Sequence, residues 1–222
     1  MTCVSPTSLP ATVSAFDGAR IDGSLLVEVT EFAQHTRWLN TPILWFTDAG
    51  LIVFAVLMLA AWWRARRENT TAMAAALLAP VAVVAAFALA EIVKQIAAEP
   101  RPCHALPHAY ILEACPPGTD YAFPSGHATV AAATVAALYL TNRRLAAIAA
   151  VFALFEAATR VYVGGHYPHD VAASAVLALP IAYLVRRALL QPAAAAVTRL
   201  RTGPLAPLVT STVQSAARIT LG

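Results

Sequence analysis

Charge is what this chain has least of. Of its 222 residues only 12% are Asp, Glu, Lys or Arg, against 59% hydrophobic, which places it outside ordinary soluble domains, where about a quarter of positions are charged. Lysine is almost missing: Lys94 stands alone, and every other fixed cation is an arginine. No repeat of solenoid period and no nucleic-acid motif is present. A pI near 9.0 therefore speaks for arginines beside anionic lipid, with no basic face for nucleic acid. Residues 1–18 have no positive charge ahead of their apolar positions, so the n-region of a secretory signal is lacking. They read as a flexible leader.

What is abundant is long apolar sequence. Stretches close to the twenty or so residues a bilayer requires run over 41–63, 71–97, 126–141, 145–163 and 170–189. The expected fold is all-α, a polytopic membrane helix bundle of about five transmembrane helices. Residues 25–40 carry Glu28, Glu31, Gln34, His35 and Arg37 among apolar positions. They read as an amphipathic helix lying at the interface, its apolar face formed by Leu25, Val29, Phe32 and Leu39 with Val27. Three regions follow: a leader and interfacial helix (1–40), a membrane domain (41–190) and a C-terminal tail (191–222). Runs of alanine at 131–133, 146–150 and 172–178 suit close helix contact in lipid.

Arg64, Arg66 and Arg67 follow the first stretch, Arg143 and Arg144 separate the third and fourth, and Arg186 and Arg187 close the fifth. The positive-inside rule makes these ends cytoplasmic, with the tail. The opposite ends then face outward, and they hold most of the remaining ionisable side chains. Cys103 and Cys115 share an outward loop, where disulfides persist, so they are expected to pair. Cys3 has no evident partner.

Three short segments at those outward ends carry the chemistry: Lys94 with Arg101 and Pro102; Pro124, Ser125, Gly126 and His127; and Thr159, Arg160, His166 and Asp170. A transferring phosphoryl group spreads charge over its equatorial oxygens, and catalysis needs fixed cations, N–H donors, a nucleophile and an acid. Lys94, Arg101 and Arg160 supply cations. Ser125 and Gly126 open an apolar run, which puts their N–H groups at a helix N-terminus suited to an anion. Asp170, four residues after His166, can take the Nδ1 proton and leave Nε2 free to attack phosphorus. His127 can protonate the leaving oxygen.

In order and spacing these segments resemble the type-2 phosphatidic acid phosphatase and vanadium haloperoxidase superfamily, whose signature is Lys-x6-Arg-Pro, Pro-Ser-Gly-His and Ser-Arg-x5-His-x3-Asp. The resemblance spans roughly residues 42–190, and only Thr159 departs, standing where the family has serine. It implies His166 as nucleophile, Asp170 as its partner and His127 as general acid. It further implies Lys94, Arg101, Ser125, Gly126 and Arg160 as phosphate ligands, and no metal ion or other cofactor. A membrane lipid phosphatase acting through a phospho-histidine at the outer leaflet is the expected function. An undecaprenyl or similar polyprenyl diphosphate is the expected substrate and partner; phosphatidylglycerophosphate and phosphatidic acid are the near alternatives.

Other readings compete. His166, His169 and Asp170 have spacing that can bind zinc, but a metal there would sit against three cations. A lipid phosphotransferase uses the same residues, and a haloperoxidase would be soluble. A non-catalytic scaffold has no use for His127, Arg160, His166 and Asp170 together. Glu91 and Glu156 are placed to pair with Lys94 and Arg160 along their helices, and His169 has no assigned role.

Overall fold

A computed structural model of the chain describes residues 16–210. Most of the leader with Cys3, and the end of the tail with Arg218, lie outside the described residues. Among those described there are helices and no strand. They are α1 (Gly18–Ile21), α2 (Gly23–His35), α3 (Arg37–Ala49), α4 (Leu51–Ala65), α5 (Thr70–Ala97), α6 (Pro102–Ala105), α7 (Gly126–Tyr139), α8 (Arg143–Tyr162), α9 (Pro168–Leu200) and α10 (Ala206–Val209).

Local chemistry explains the boundaries. The Asn69 side chain accepts the Ala72 N–H at 2.9 Å to start α5, and Asn142 accepts from Arg144 and Leu145 at 3.1 Å to start α8, each satisfying donors the first turn leaves free. Pro168 opens α9, where its missing N–H costs nothing. Gly164, at φ 74°, turns the chain out of α8 in a conformation that favours glycine.

Among the described residues three helices are long and apolar enough to cross a membrane, or four if α3 and α4, bent by 44°, form one span. The segment at 126–141 gives α7, whose 14 residues make about 21 Å and fall short of that length. It lies inside the bundle, packed against α4, α5, α8 and α9. Alanine makes the close approach possible: Ala79, Ala82, Ala136, Ala137 and Ala182 meet in one cluster, and Ala86, Ala133 and Ala178 in another. The outer surface is apolar, with Trp38, Trp45, Ile96, Leu154 and Val176 exposed. A water-soluble monomer rarely shows so much apolar surface, and these helices are those of a membrane protein.

The N-terminal helix differs from expectation in register. α2 ends at His35, so Leu39 belongs to α3, and the face docked on the bundle holds Leu26, Thr30 and Ala33 while Leu25 and Phe32 are exposed. When the surroundings are lipid, apolar residues serve either face, and periodicity alone does not tell which one packs. α9 also runs past Gln191 to Leu200, and its end packs with Val209 on Ala65 and Met73.

Helix direction gathers the site. α5 and α8 end, and α7 and α9 begin, at one end of the bundle. At the other end Arg66 donates to the carbonyls of Pro207 and Thr210, and Arg201 to that of Glu68.

Candidate active site

Lys94 occupies the last turn of α5, is buried, and pairs with Glu91 at 3.0 Å, as its spacing implied. Arg101 follows at the turn into α6. Its Nη1 donates to the Gly165 carbonyl at 3.1 Å and lies 3.3 Å from His166 Nε2, while Nη2 grips both oxygens of Asp120 at 3.0 and 3.1 Å. Arg160, in the last turn of α8, donates through Nη2 to both Glu113 oxygens at 2.8 and 2.7 Å. The expected pairing of Arg160 with Glu156 is not made: both Glu156 oxygens are buried without a hydrogen bond. Glu113 sits on a loop that keeps it partly solvated, so its ion pair escapes most of the desolvation that a pair at Glu156 would incur.

Ser125 is the N-cap of α7, its Oγ accepting the Ala128 N–H at 3.5 Å. Its carbonyl takes the Ser174 hydroxyl at 2.9 Å, and its N–H reaches the Asp170 carbonyl at 3.4 Å, stitching the starts of α7 and α9 together. Gly126 and His127 form the first turn, His127 half-buried. Thr159 keeps its hydroxyl on its own helix, bonded to the Glu156 carbonyl at 2.8 Å.

His166 is 2% exposed. Asp170 Oδ2 lies 3.3 Å from its Nδ1 and also accepts the Tyr167 N–H at 2.9 Å. A guanidinium can only donate, so Arg101 fixes Nε2 as the acceptor and leaves the ring proton on Nδ1 toward Asp170. Burial, then Arg160, Arg101, Lys94 and His127, hold the imidazole well below its usual 6.5. The outcome is a neutral imidazole whose Nε2 lone pair points among cations, an arrangement that can carry out nucleophilic attack on an anionic phosphorus group.

The structure thus brings Lys94, Arg101, Ser125, Gly126, His127, Arg160, His166 and Asp170 to one end of the bundle. Cys103 and Cys115 are disulfide-bonded with Cα atoms 5.9 Å apart, closing the loop that carries Glu113. Sequence reasoning missed Glu113 and Asp120; their pairings join residues 47 and 19 apart, for which no helical periodicity exists. Among the described residues, two groups have the spacing of a metal site: Cys103, His104 and Cys115, and Glu99, His169 and Asp170. In the first the sulfurs are spent on the disulfide. In the second His169 Nε2 is hydrogen-bonded to Glu99 at 3.1 Å and lies 3.4 Å from Asp170 Oδ1.

Comparison with known proteins gives the family. Residues 75–193 match the model of the PAP2 superfamily. The chain is 30% identical over 157 residues to undecaprenyl-diphosphatase BcrC of Bacillus subtilis, covering 70% of this chain and 77% of that protein. It is 36% identical over 105 residues to an undecaprenyl-diphosphatase of Sulfolobus acidocaldarius, 47% of this chain and 50% of the relative. The crystal structure of LpxE from Aquifex aeolicus superposes with a TM-score of 0.52 at 20% identity, over 80% of this chain and 99% of that one, a likeness of fold. The chain belongs to the PAP2 superfamily.

Proposed function

We propose that the protein is an integral-membrane lipid phosphatase that removes the terminal phosphate of a polyprenyl diphosphate at the outer leaflet, through a phospho-histidine on His166 and without a metal ion. The observation that carries this reading is one bundle end at which a neutral, buried His166 faces Lys94, Arg101 and Arg160, beside an apolar groove. The groove, about 370 Å³, is lined by Ala128, Ala132, Leu154, Ala157, Val171 and Ala175 among others. Its rim residues Ala128 and Val171 directly follow His127 and Asp170 in sequence. A head group among the cations would leave its hydrocarbon chain free to lie in that groove.

In the first step Nε2 of His166 attacks the terminal phosphorus, a P–N bond forms, and the bridging P–O bond breaks. His127 gives its proton to the departing lipid monophosphate, and Asp170 stabilises the Nδ1–H of the phospho-imidazole. Water, deprotonated by His127, then breaks the P–N bond and releases inorganic phosphate. Arg101, Arg160, Lys94 and the N–H groups around Ser125 and Gly126 would hold the equatorial oxygens. The outward orientation is supported by arginine-rich ends opposite the site and by a disulfide on the site side, where an oxidising compartment preserves it. The relatives named as undecaprenyl-diphosphatases favour a polyprenyl chain over a diacylglycerol.

The test is phosphate release by purified protein and by His166→Ala, on undecaprenyl diphosphate, phosphatidylglycerophosphate and phosphatidic acid, with and without EDTA. Expected is EDTA-resistant turnover, fastest on the polyprenyl diphosphate, lowered by about a thousandfold or more in the variant. Turnover lost with EDTA would overturn the metal-free mechanism. Faster turnover of either glycerophospholipid would overturn the substrate assignment, and an active variant would overturn the nucleophile.

A further inference from the structure

Behind the candidate site lies a set of ionisable side chains that the proposed reaction does not use. His169 has a carboxylate at each ring nitrogen: Nδ1 is 2.8 Å from Asp22 Oδ1, and Nε2 is 3.1 Å from Glu99 Oε1. Its backbone N–H reaches the second oxygen of Asp22 at 2.8 Å. Nε2 is also 3.4 Å from Asp170 Oδ1, the oxygen of Asp170 that is buried without a hydrogen bond. An ionised carboxylate only accepts, so nitrogens facing carboxylates on both sides must both donate, which makes the ring an imidazolium.

The inner side of the cluster is shut off from water, while the His169 and Asp22 side chains keep 17% exposure. Glu99 and Asp170 are fully buried, and the rings of Phe123 and Tyr167 stack against His169 at 5.8 and 5.6 Å. Gly18 lets α1 close over it, because a side chain there would run into Glu99 and into the Tyr167 ring at 2.6 Å. Without the imidazolium, Glu99 and Asp170 would be left close together in a low dielectric, where neighbouring carboxylates cannot both stay ionised. Asp170 would then compete for a proton, and a protonated Asp170 holds the Nδ1–H of His166 poorly.

We propose that His169 is a positioning residue acting through Asp170. As the charge shared by Glu99 and Asp170 it keeps Asp170 an acceptor for His166, and its grip on Asp22 makes the N-terminal helices part of the working site. This rests on His166 being the nucleophile, as proposed above. Asp22 lies outside the 75–193 stretch that the family model matches, so the device uses a part of the chain beyond that stretch.

The experiment compares His169→Asn, Glu99→Gln and the double variant with wild type, in the purified full-length protein, by kcat, KM and thermal unfolding on undecaprenyl diphosphate. His169→Asn should lower kcat by about tenfold or more with KM little changed. Adding Glu99→Gln, which removes the charge that needed compensation, should restore most of the lost kcat, a strongly non-additive pair. Additive losses, or a change confined to KM, would overturn the proposal. If His169→Asn alone does not fold, the double variant decides: a folded, active protein supports the charge-sharing role, and an inactive or unfolded one overturns it. A wild type inactive on undecaprenyl diphosphate, and on the two glycerophospholipids named above, would instead bring down the functional reading, and this inference with it.

Discussion

Arg101 donates toward His166 Nε2 at 3.3 Å, so the lone pair needed for attack is covered until a phosphate draws the guanidinium away. Each site cation also has a carboxylate partner with which a phosphate must compete: Glu91 for Lys94, Asp120 for Arg101, Glu113 for Arg160. Asp120→Asn should therefore tighten inhibition by inorganic phosphate. The Asp120 side chain is 43% exposed, which limits the change to about two- to fivefold. Phosphate inhibition constants measured on wild type and variant check this. The depressed pKa of His166 also has a thermodynamic sign. Below 6.5 the unfolded chain takes up a proton that the folded protein refuses, so this residue's contribution to stability falls as pH drops from 6.5. Unfolding temperatures of wild type and His166→Asn over that range should diverge at high pH and converge on acidification. Pairings were legible where spacing carried them, as for His166 with Asp170 and Lys94 with Glu91. Glu113, Asp120, Asp22 and Glu99 were not, because their partners are reached only through the fold.

The loop between α5 and α7 gains its hold at the scale of elements. Arg101 and Arg160 are braced by Asp120 and Glu113 on this loop, and the Cys103–Cys115 disulfide closes it over a separation of 12 residues. Removing a bridge of that span costs roughly 3 kcal/mol by the chain-entropy account. Cys103→Ser with Cys115→Ser should lower the unfolding temperature. It should also raise KM for the lipid diphosphate, since Arg101, two residues before Cys103, would be held less firmly beside His166; activity assays with and without reductant on wild type give an independent check. The pairing was legible from topology alone, because both cysteines fall in one loop on one side. The inward face of α2 was not: Leu25 and Phe32 are as apolar as Leu26, and what separates them is whether the neighbour is lipid or protein. The end of α9 was likewise hidden, since Arg186 and Arg187 read as the close of a span while the helix continues to Leu200.

At the scale of the whole molecule, the bundle joins a charged end to an apolar groove. α8 and α9 both pack on α7 but hardly on each other, and the space between them is the groove lined by Ala128, Ala132, Ala153, Ala157 and Ala175. From Ala128 to Val135 along α7 it extends seven residues, about 11 Å of helix rise, so it would hold the first units of a prenyl chain and leave the rest in the bilayer. Alanine is what keeps it open, and a larger side chain would fill it without touching the cations. Ala132→Phe should thus raise KM for undecaprenyl diphosphate by about tenfold, the loss of about two buried methylene equivalents at roughly 0.8 kcal/mol each. The same variant should turn over a short, water-soluble prenyl diphosphate as wild type does, because that substrate needs only the charged end. Assays of both substrates in one detergent, with unfolding temperature as the control for packing damage, separate the outcomes. Equal losses on long and short substrates would mean that the introduced ring had disturbed His127 at the start of the same helix, and no loss on either would mean that the lipid chain leaves the site by another path.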